Sequence, residues 1–354
     1  MPDSELPKTA GSAEQPVVSI IIALHRWNAR SQKSVDECLN LSRSTSVSIE
    51  VIVVSDQNGN ESPRGAKWFV TGAQGDTSPA FKRDLGIRKS SGTYLAFIDD
   101  DAFPEKDWLN NALSAIEEMK VDAVGGPGIT PADISWREKI GGAVYSSYFG
   151  SGPFRYRFRP HGSRKIIEEF PAYNFIVRRS ALEAIGGWNS SFYGGEDTVV
   201  CTRLREQGFT IGYSPDVVVH HYRRAIFGPH LRQIGNVGRH RGNFVRNHDA
   251  SSMHPIFMAP LLVPIAIIGA LALTLTVGLE HVPFTVGAVL LAWILLSVPS
   301  VKDAGWLSIA VPPAIVAHHL WYGGNFIKGF TQATIDEDRD TTALEGQVND
   351  GLRS

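Results

Sequence analysis

Apolar residues along this chain fall into runs of two lengths. In the first two thirds the runs are short: VVSIIIAL from Val17, IEVIVVSD from Ile49 and TYLAFIDDD from Thr93 are nearly continuous apolar strings ending in polar or acidic residues. Such runs predict strands buried on both faces. Between them, the polar-apolar stretch through Leu41 and FKRDLGIRKSSG, which ends at Gly92, predict helices. Strand, helix and strand in repetition predict an α/β fold with a Rossmann-like, mainly parallel sheet, whose ligands gather at the carboxyl ends of the strands. A helix from about Trp108 to Met119 leads to VDAVGGPGI, a short strand with glycine turns. An irregular stretch then runs to about Glu169, and its FRYRFRPHGSRK carries five basic residues between Arg155 and Lys165, as a cationic loop or a solvated surface. Strand, helix, glycine-rich turn and a second helix follow, the last opening at Glu196 and Asp197.

The last third has longer runs. Residues 256–279 and 304–327 are each long enough to cross a bilayer, and the seventeen residues 282–298 between them are marginal. Residues 256–301 contain one formally charged residue, Glu280, and almost no polar positions at helical spacing, so transmembrane helices are expected rather than a soluble core. The expected organisation is a disordered tail at 1–16, an α/β domain at 17–249, a membrane domain of about three helices at 256–327 and a disordered tail at 331–354. A cytosolic α/β domain and three crossings put the C-terminus outside; if the middle segment only dips into the interface, it returns to the cytosol.

Composition narrows the chemistry. Two cysteines, Cys38 and Cys201, are too few for a disulfide framework and too far apart for a thiolate metal site. No dinucleotide fingerprint, phosphate loop or zinc helix motif occurs, and with a formal net charge of -2 no nucleic-acid partner is expected. The acid triplet Asp99, Asp100, Asp101 closes a strand; its alternate carboxylates, Asp99 and Asp101, can share one divalent cation, or form an ordinary polar strand end. Glu196 and Asp197 open a helix, where acids also complement the dipole. Residues 217–249, a basic juxtamembrane segment, hold six arginines and five histidines with no acid between Asp216 and Asp249, which suits phosphate or anionic headgroups. His318 and His319 interrupt an apolar segment and need a partner there.

These pieces, in this order, resemble the inverting glycosyltransferases of family 2, which share the GT-A nucleotide-sugar-binding fold. VVSIIIAL and IEVIVVSDQN look like the first two strands, KRDLGIRKSSGTYLAFIDDDAFPEKDWL like the helix and metal strand, and RRSALEAIGGWNSSFYGGEDTVVCTRLREQGFTIGYSPD like the acceptor-side signature. The sequence departs from the family pattern at Ser55, at Ala23, Leu24 and His25, and at Asp84. The resemblance implies that Asp56 contacts base or ribose and that Arg83 lies near the diphosphate. Asp99 and Asp101 would bracket ribose and a Mn2+ or Mg2+ ion. Asp197 would be the catalytic base, with Glu196 its rival, and Glu196 and Trp188 would stand on the acceptor side. His220 or His221 would be a third metal ligand or a structural histidine; of the two, His221 is preferred. Gln233, Gly238, Arg239 and Arg241 resemble the gating motif of membrane-attached members without its Arg-Trp pair, which would give Arg239 and Arg241 a diphosphate or lipid phosphate.

The resulting expectation is a metal-dependent, multi-pass enzyme of the cytoplasmic membrane with its catalytic domain in the cytosol. It would move one sugar from a nucleotide donor to a hydroxyl of a lipid-linked, polyprenyl-type acceptor among membrane lipids, as in glycan or exopolysaccharide assembly. The alternatives are a polyprenyl-phosphate glycosyltransferase, whose acceptor is the phosphate itself, and an inactive membrane-bound binding or scaffold protein.

Overall fold

The computed structural model describes residues 17–57, 64–73, 75–190, 195–247 and 252–332. The expected tails, 1–16 and 331–354 from residue 333 onward, lie outside these residues, as does Gly194 of the glycine-rich turn. The strands are β1 (Val18–Leu24), β2 (Ile49–Ser55), β3 (Lys67–Val70), β4 (Tyr94–Asp99), β5 (Ala102–Pro104), β6 (Ala123–Gly125), β7 (Gly128–Ile129), β8 (Lys165–Ile167), β9 (Asn174–Arg178), β10 (Ile211–Tyr213) and β11 (Val219–His221). The helices are α1 (Ala29–Asn40), α2 (Pro79–Arg88), α3 (Trp108–Met119), α4 (Trp136–Ser146), α5 (Tyr148–Ser151), α6 (Arg179–Ala184), α7 (Glu196–Glu206), α8 (Gly228–Arg246), α9 (Leu262–Val277), α10 (Val282–Ser297) and α11 (Val311–Thr331).

A large sheet in the order β3-β2-β1-β4-β9-β6-β10-β8 forms the centre of the α/β unit. β3, β2, β1 and β4 are mutually parallel, while β9 runs against β4 and β6, and β8 against β10. Successive strand residues face opposite sides, and in β1 Ile20, Ile21 and Ile22 are all fully buried. Both faces are therefore covered, which is why these strands read as unbroken apolar runs. A small sheet, β5-β11-β7, lies beside the end of β4, and its antiparallel register sets His221 opposite Ala102. That register carries the histidine to the acid triplet.

The C-terminal third differs from the three-crossing expectation. Two helical stretches, Pro255–Thr274 and Leu279–Ser297, are long and apolar enough to cross a membrane, with mean hydropathy 2.5 and 1.8. Ile265, Ile268, Leu273, Phe284, Leu291 and Leu295 are exposed along α9 and α10, so these are not core helices. Residues 304–327 do not form a third such span: a 3-10 stretch occupies Val298–Ile309, and α11 lies along α8. α11 is less apolar than those two stretches, and a seam of glycines lets it pack closely on α8. A Cβ at Gly238 would fall on the Tyr322 carbonyl, one at Gly242 on that of Phe326, and one at Gly329 on that of Arg239. The two backbones touch, and Ile315, Tyr322 and Phe326 are buried by protein.

Candidate active site

Asp99, Asp101 and His221 each present a ligand atom within 4.8 Å of the others. Arg83 of α2 crosses beneath them, donating to Asp99 at 3.0 Å and to Glu196 at 3.1 Å, so one buried guanidinium ties the strand end to the start of α7. Loss of water raises the pKa of Asp99 despite Arg83. Asp101 is desolvated as well, but His221 at 3.1 Å and Arg224 at 3.2 Å outweigh this and hold it at about 2. Two carboxylates so placed suit a hard divalent cation. His221 has a polar partner at each ring nitrogen. Arg223 donates to its Nδ1 at 3.1 Å, and because a guanidinium cannot accept, Nδ1 must, leaving the proton on Nε2 and directed at Asp101. So arranged, His221 donates to Asp101, and it stands with Asp99 and Asp101 in the group that could hold a metal ion.

On the other side of the cavity, Gly195 takes φ +95° at the N-cap of α7, a left-handed turn that glycine adopts without strain. The turn brings Glu196 and Asp197 inward, with different fates. Glu196 is buried against Arg83. Asp197 is half-buried, and desolvation together with the neighbouring charges of Glu196 and Glu169 pushes it up to about 7, against the pull of Arg241. A carboxylate poised there takes a proton efficiently near neutral pH. Glu169 accepts from Arg157 at 3.1 Å and from Arg241, and despite its own desolvation these cations hold it at about 2.

All of these groups line one cavity of about 950 Å³. It extends from Asp99, Asp100 and Asp101 past Asp197, Glu169 and Arg241 to Ile256, Pro260 and Leu262, with Trp293, His319 and Tyr322 on the far wall. Arg83, Glu196 and His221 also reach it; four other expected residues do not. Asp56 accepts from Lys82 at 2.6 Å, the hydroxyls of Thr71 and Thr77 and the Thr77 amide, and does not line the cavity. Trp188 is a core residue rather than an acceptor contact: its ring packs edge-on against Phe97 beneath Arg83, because Asp84 accepts the Trp188 and Asn189 amides and draws the turn inward. The backbone carbonyl of Arg239 abuts Gly329 in the helix seam, and Arg239 does not line the cavity. His220 stacks on Phe103 and faces Glu105, not the triplet. Conversely, sequence reasoning did not single out Glu169, Arg157, Arg224 or Tyr322 for the site. Their pairings join segments far apart in the chain, and no local periodicity signals them.

Residues 19–186, which span β1 to the turn after α6, match Glycosyl transferase family 2. Those residues form a glycosyltransferase family 2 domain. Asp197 and His221 lie beyond the matched stretch, within reach of it only through the fold. Curated relatives include the glycosyltransferase AglE of Haloferax volcanii, 26% identical over 63% of this chain and 72% of that protein. The pre-mycofactocin glycosyltransferase of Mycobacterium tuberculosis is 28% identical over 50% of this chain and 38% of its own length. A dolichyl N-acetyl-α-D-glucosaminyl phosphate 3-β-D-2,3-diacetamido-2,3-dideoxy-β-D-glucuronosyltransferase of Methanococcus voltae is 23% identical over 46% of this chain and 50% of that protein. The chain thus matches half or less of the length of the last two. Among solved structures, the mannosyltransferase PcManGT of Pyrobaculum calidifontis, in complex with GDP-Man and Mn2+, superposes with a TM-score of 0.55 at 17% identity, over 91% of this chain and 89% of its own. The protein therefore has the GT-A fold, followed by two apolar helices that could cross a membrane.

Proposed function

We propose that this protein is a membrane-anchored, inverting glycosyltransferase that moves one sugar from a nucleoside-diphosphate sugar to a hydroxyl of a lipid-linked acceptor. Its catalytic domain, residues 17–249, would face the cytosol. The observation that carries the reading is the single cavity joining Asp99, Asp101 and Asp197 to Leu262 and Trp293 of the two apolar helices. A soluble donor is best received at the acids, and an acceptor with its tail in the bilayer reaches Asp197 from the helix side. Relatives agree in kind: the Methanococcus voltae enzyme is named for a dolichyl-linked acceptor, and the Pyrobaculum calidifontis enzyme holds GDP-Man with Mn2+.

The chain's own residues account for the step. Asp197 takes the proton of the acceptor hydroxyl as its oxygen bonds to the anomeric carbon. The bond from that carbon to the donor's phosphate oxygen breaks, and its electron pair leaves with the nucleoside diphosphate. Attack from the face opposite the leaving group inverts the centre. Arg83 fixes Asp99 against Glu196 and keeps Glu196 from competing for the proton. Mn2+ or Mg2+, when held by Asp99 and Asp101, supplies positive charge for the departing diphosphate.

The test is a donor screen on the purified full chain in nanodiscs with Mn2+. One nucleoside-diphosphate sugar should raise the melting temperature, since ligand at a hundred times its Kd adds ~2.7 kcal/mol, and its label should appear in the lipid fraction of added membrane extract. Neither stabilisation nor incorporation with any donor would overturn the proposal.

A further inference from the structure

Two buried polar atoms on the acceptor side of the cavity have no task in the transfer step. Tyr322 of α11 is 5% exposed, and its hydroxyl has no hydrogen-bond partner. Glu169 is 7% exposed; its Oε1 receives Arg157 and Arg241, and its Oε2 has no partner, although Thr198 stands beside the carboxylate. Both residues line the cavity that holds Asp197, and Glu169 is close enough to bear electrostatically on both Tyr322 and Asp197. A buried donor and a buried acceptor without protein partners, lining one cavity, suit a ligand that is itself both donor and acceptor.

Resting on the glycosyltransferase reading above, we propose that Tyr322 and Glu169 grip a hydroxyl of the acceptor, whose head group is itself a sugar on a lipid rather than a bare lipid phosphate. A sugar hydroxyl gives its hydrogen to Glu169 Oε2 and accepts one from the Tyr322 hydroxyl, so one group completes both. A phosphate, mostly ionised at neutral pH, is a poor donor and meets the ionised Glu169 as a like charge. The cations around Asp197 are already engaged: Arg157 and Arg241 with Glu169, and Arg83 with Asp99 and Glu196. The tail has an apolar rim to follow, through Ile256, Pro260 and Leu262 to Trp293. α11 then selects which hydroxyl of the sugar turns toward Asp197, and it does so from outside the family-matched stretch.

The experiment uses the full chain in nanodiscs with the donor that stabilises it. The acceptors are phytanyl phosphate and phytanyl diphosphates bearing glucose, galactose, mannose or N-acetylglucosamine. Transfer to at least one sugar-bearing lipid and none to phytanyl phosphate is expected. Tyr322→Phe, which removes one oxygen and keeps the ring, should raise the KM for that lipid about 3- to 10-fold, the worth of one hydrogen bond, without changing the KM for the donor. Glu169→Gln keeps an acceptor oxygen but disturbs Arg157 and Arg241, so Tyr322→Phe is the deciding variant. Transfer to phytanyl phosphate, no transfer to any of the sugar-bearing lipids, or an unchanged acceptor KM in Tyr322→Phe would overturn the inference. Failure of every donor to bind the parent protein would instead remove the glycosyltransferase reading beneath it.

Discussion

Asp197→Asn keeps the shape of the side chain and removes its charge, and the structure assigns that change two effects of opposite benefit. Transfer should fall by roughly 10²- to 10⁴-fold, the usual worth of a general base, with donor binding retained. Stability should rise. An aspartate raised from 3.8 to about 7 holds its proton more tightly folded than unfolded, so the parent protein loses stability as pH climbs from about 4 to about 7, and loses no more above that. The difference of about 3 pH units, 7 less 3.8, sets a ceiling of ~4 kcal/mol at 1.36 kcal/mol per unit. Asp197 is only half-buried, so solvent screening brings the expected gain at pH 8 to ~1–2 kcal/mol. For a chain of this size that is a rise of a few degrees in melting temperature, measured without donor or metal, and it should vanish near pH 4. In the parent, kcat/KM should climb with pH through a limb near 7, where the base loses its proton. Glu196→Gln gives the contrast: it strips Arg83 of a partner and should lower the melting temperature with a much smaller effect on transfer. Asn-variant transfer at the parent rate would remove Asp197 as the base, and a melting temperature at pH 8 below the parent's would refute the electrostatic argument.

Three further outcomes follow from the same contacts. Asp101→Ala should abolish the Mn2+-dependent part of donor-induced stabilisation; a shift equal in Mn2+ and in chelator would contradict the cation site. Gly242→Ala places a methyl against the Phe326 carbonyl, and forcing α8 from α11 should cost ~1–3 kcal/mol, read as a fall in melting temperature; an unchanged value would mean that the seam yields. If the two apolar helices both cross and α11 stays on α8, a reporter fused after Ser354 should report the side of the catalytic domain; the opposite signal would contradict that arrangement.

How legible each part was in the sequence follows from the range of the interaction that determines it. β1, β2 and β4 are self-evident as apolar runs because burial on both faces leaves no alternation to misread. Asp99 and Asp101 stand out by position at a strand end, whereas Asp197, at a helix start, is marked out only by the family resemblance. Choosing between His220 and His221 needs more: adjacent strand residues face opposite ways, and only the pairing of β11 with β5 says which one turns to Asp101. Trp188 misleads because its neighbourhood in sequence is the acceptor-side turn, while Asp84, on a helix a hundred residues earlier, pulls that turn into the core.

The C-terminal helix shows the limit most plainly. By length, residues 304–327 read as a span, but α11 carries His318, His319, Asn325 and Lys328 and is less apolar than the two stretches that could cross a membrane. Spacing lets α11 pack closely on the domain: Gly235, Gly238 and Gly242 on α8 form one strip, matched on α11 by Gly329, and side chains there would hold the backbones apart. Those glycines stand in the sequence among arginines and histidines, where charge draws the eye to phosphate binding. Arg239 and Arg241 look equivalent in that string, yet they are two residues apart on a helix and point in different directions. Arg241 reaches Glu169 and the cavity, while Arg239 does not line it. The helix that length assigns to the membrane instead brings Tyr322 to the cavity wall, which makes the C-terminal third part of the candidate site rather than only its anchor.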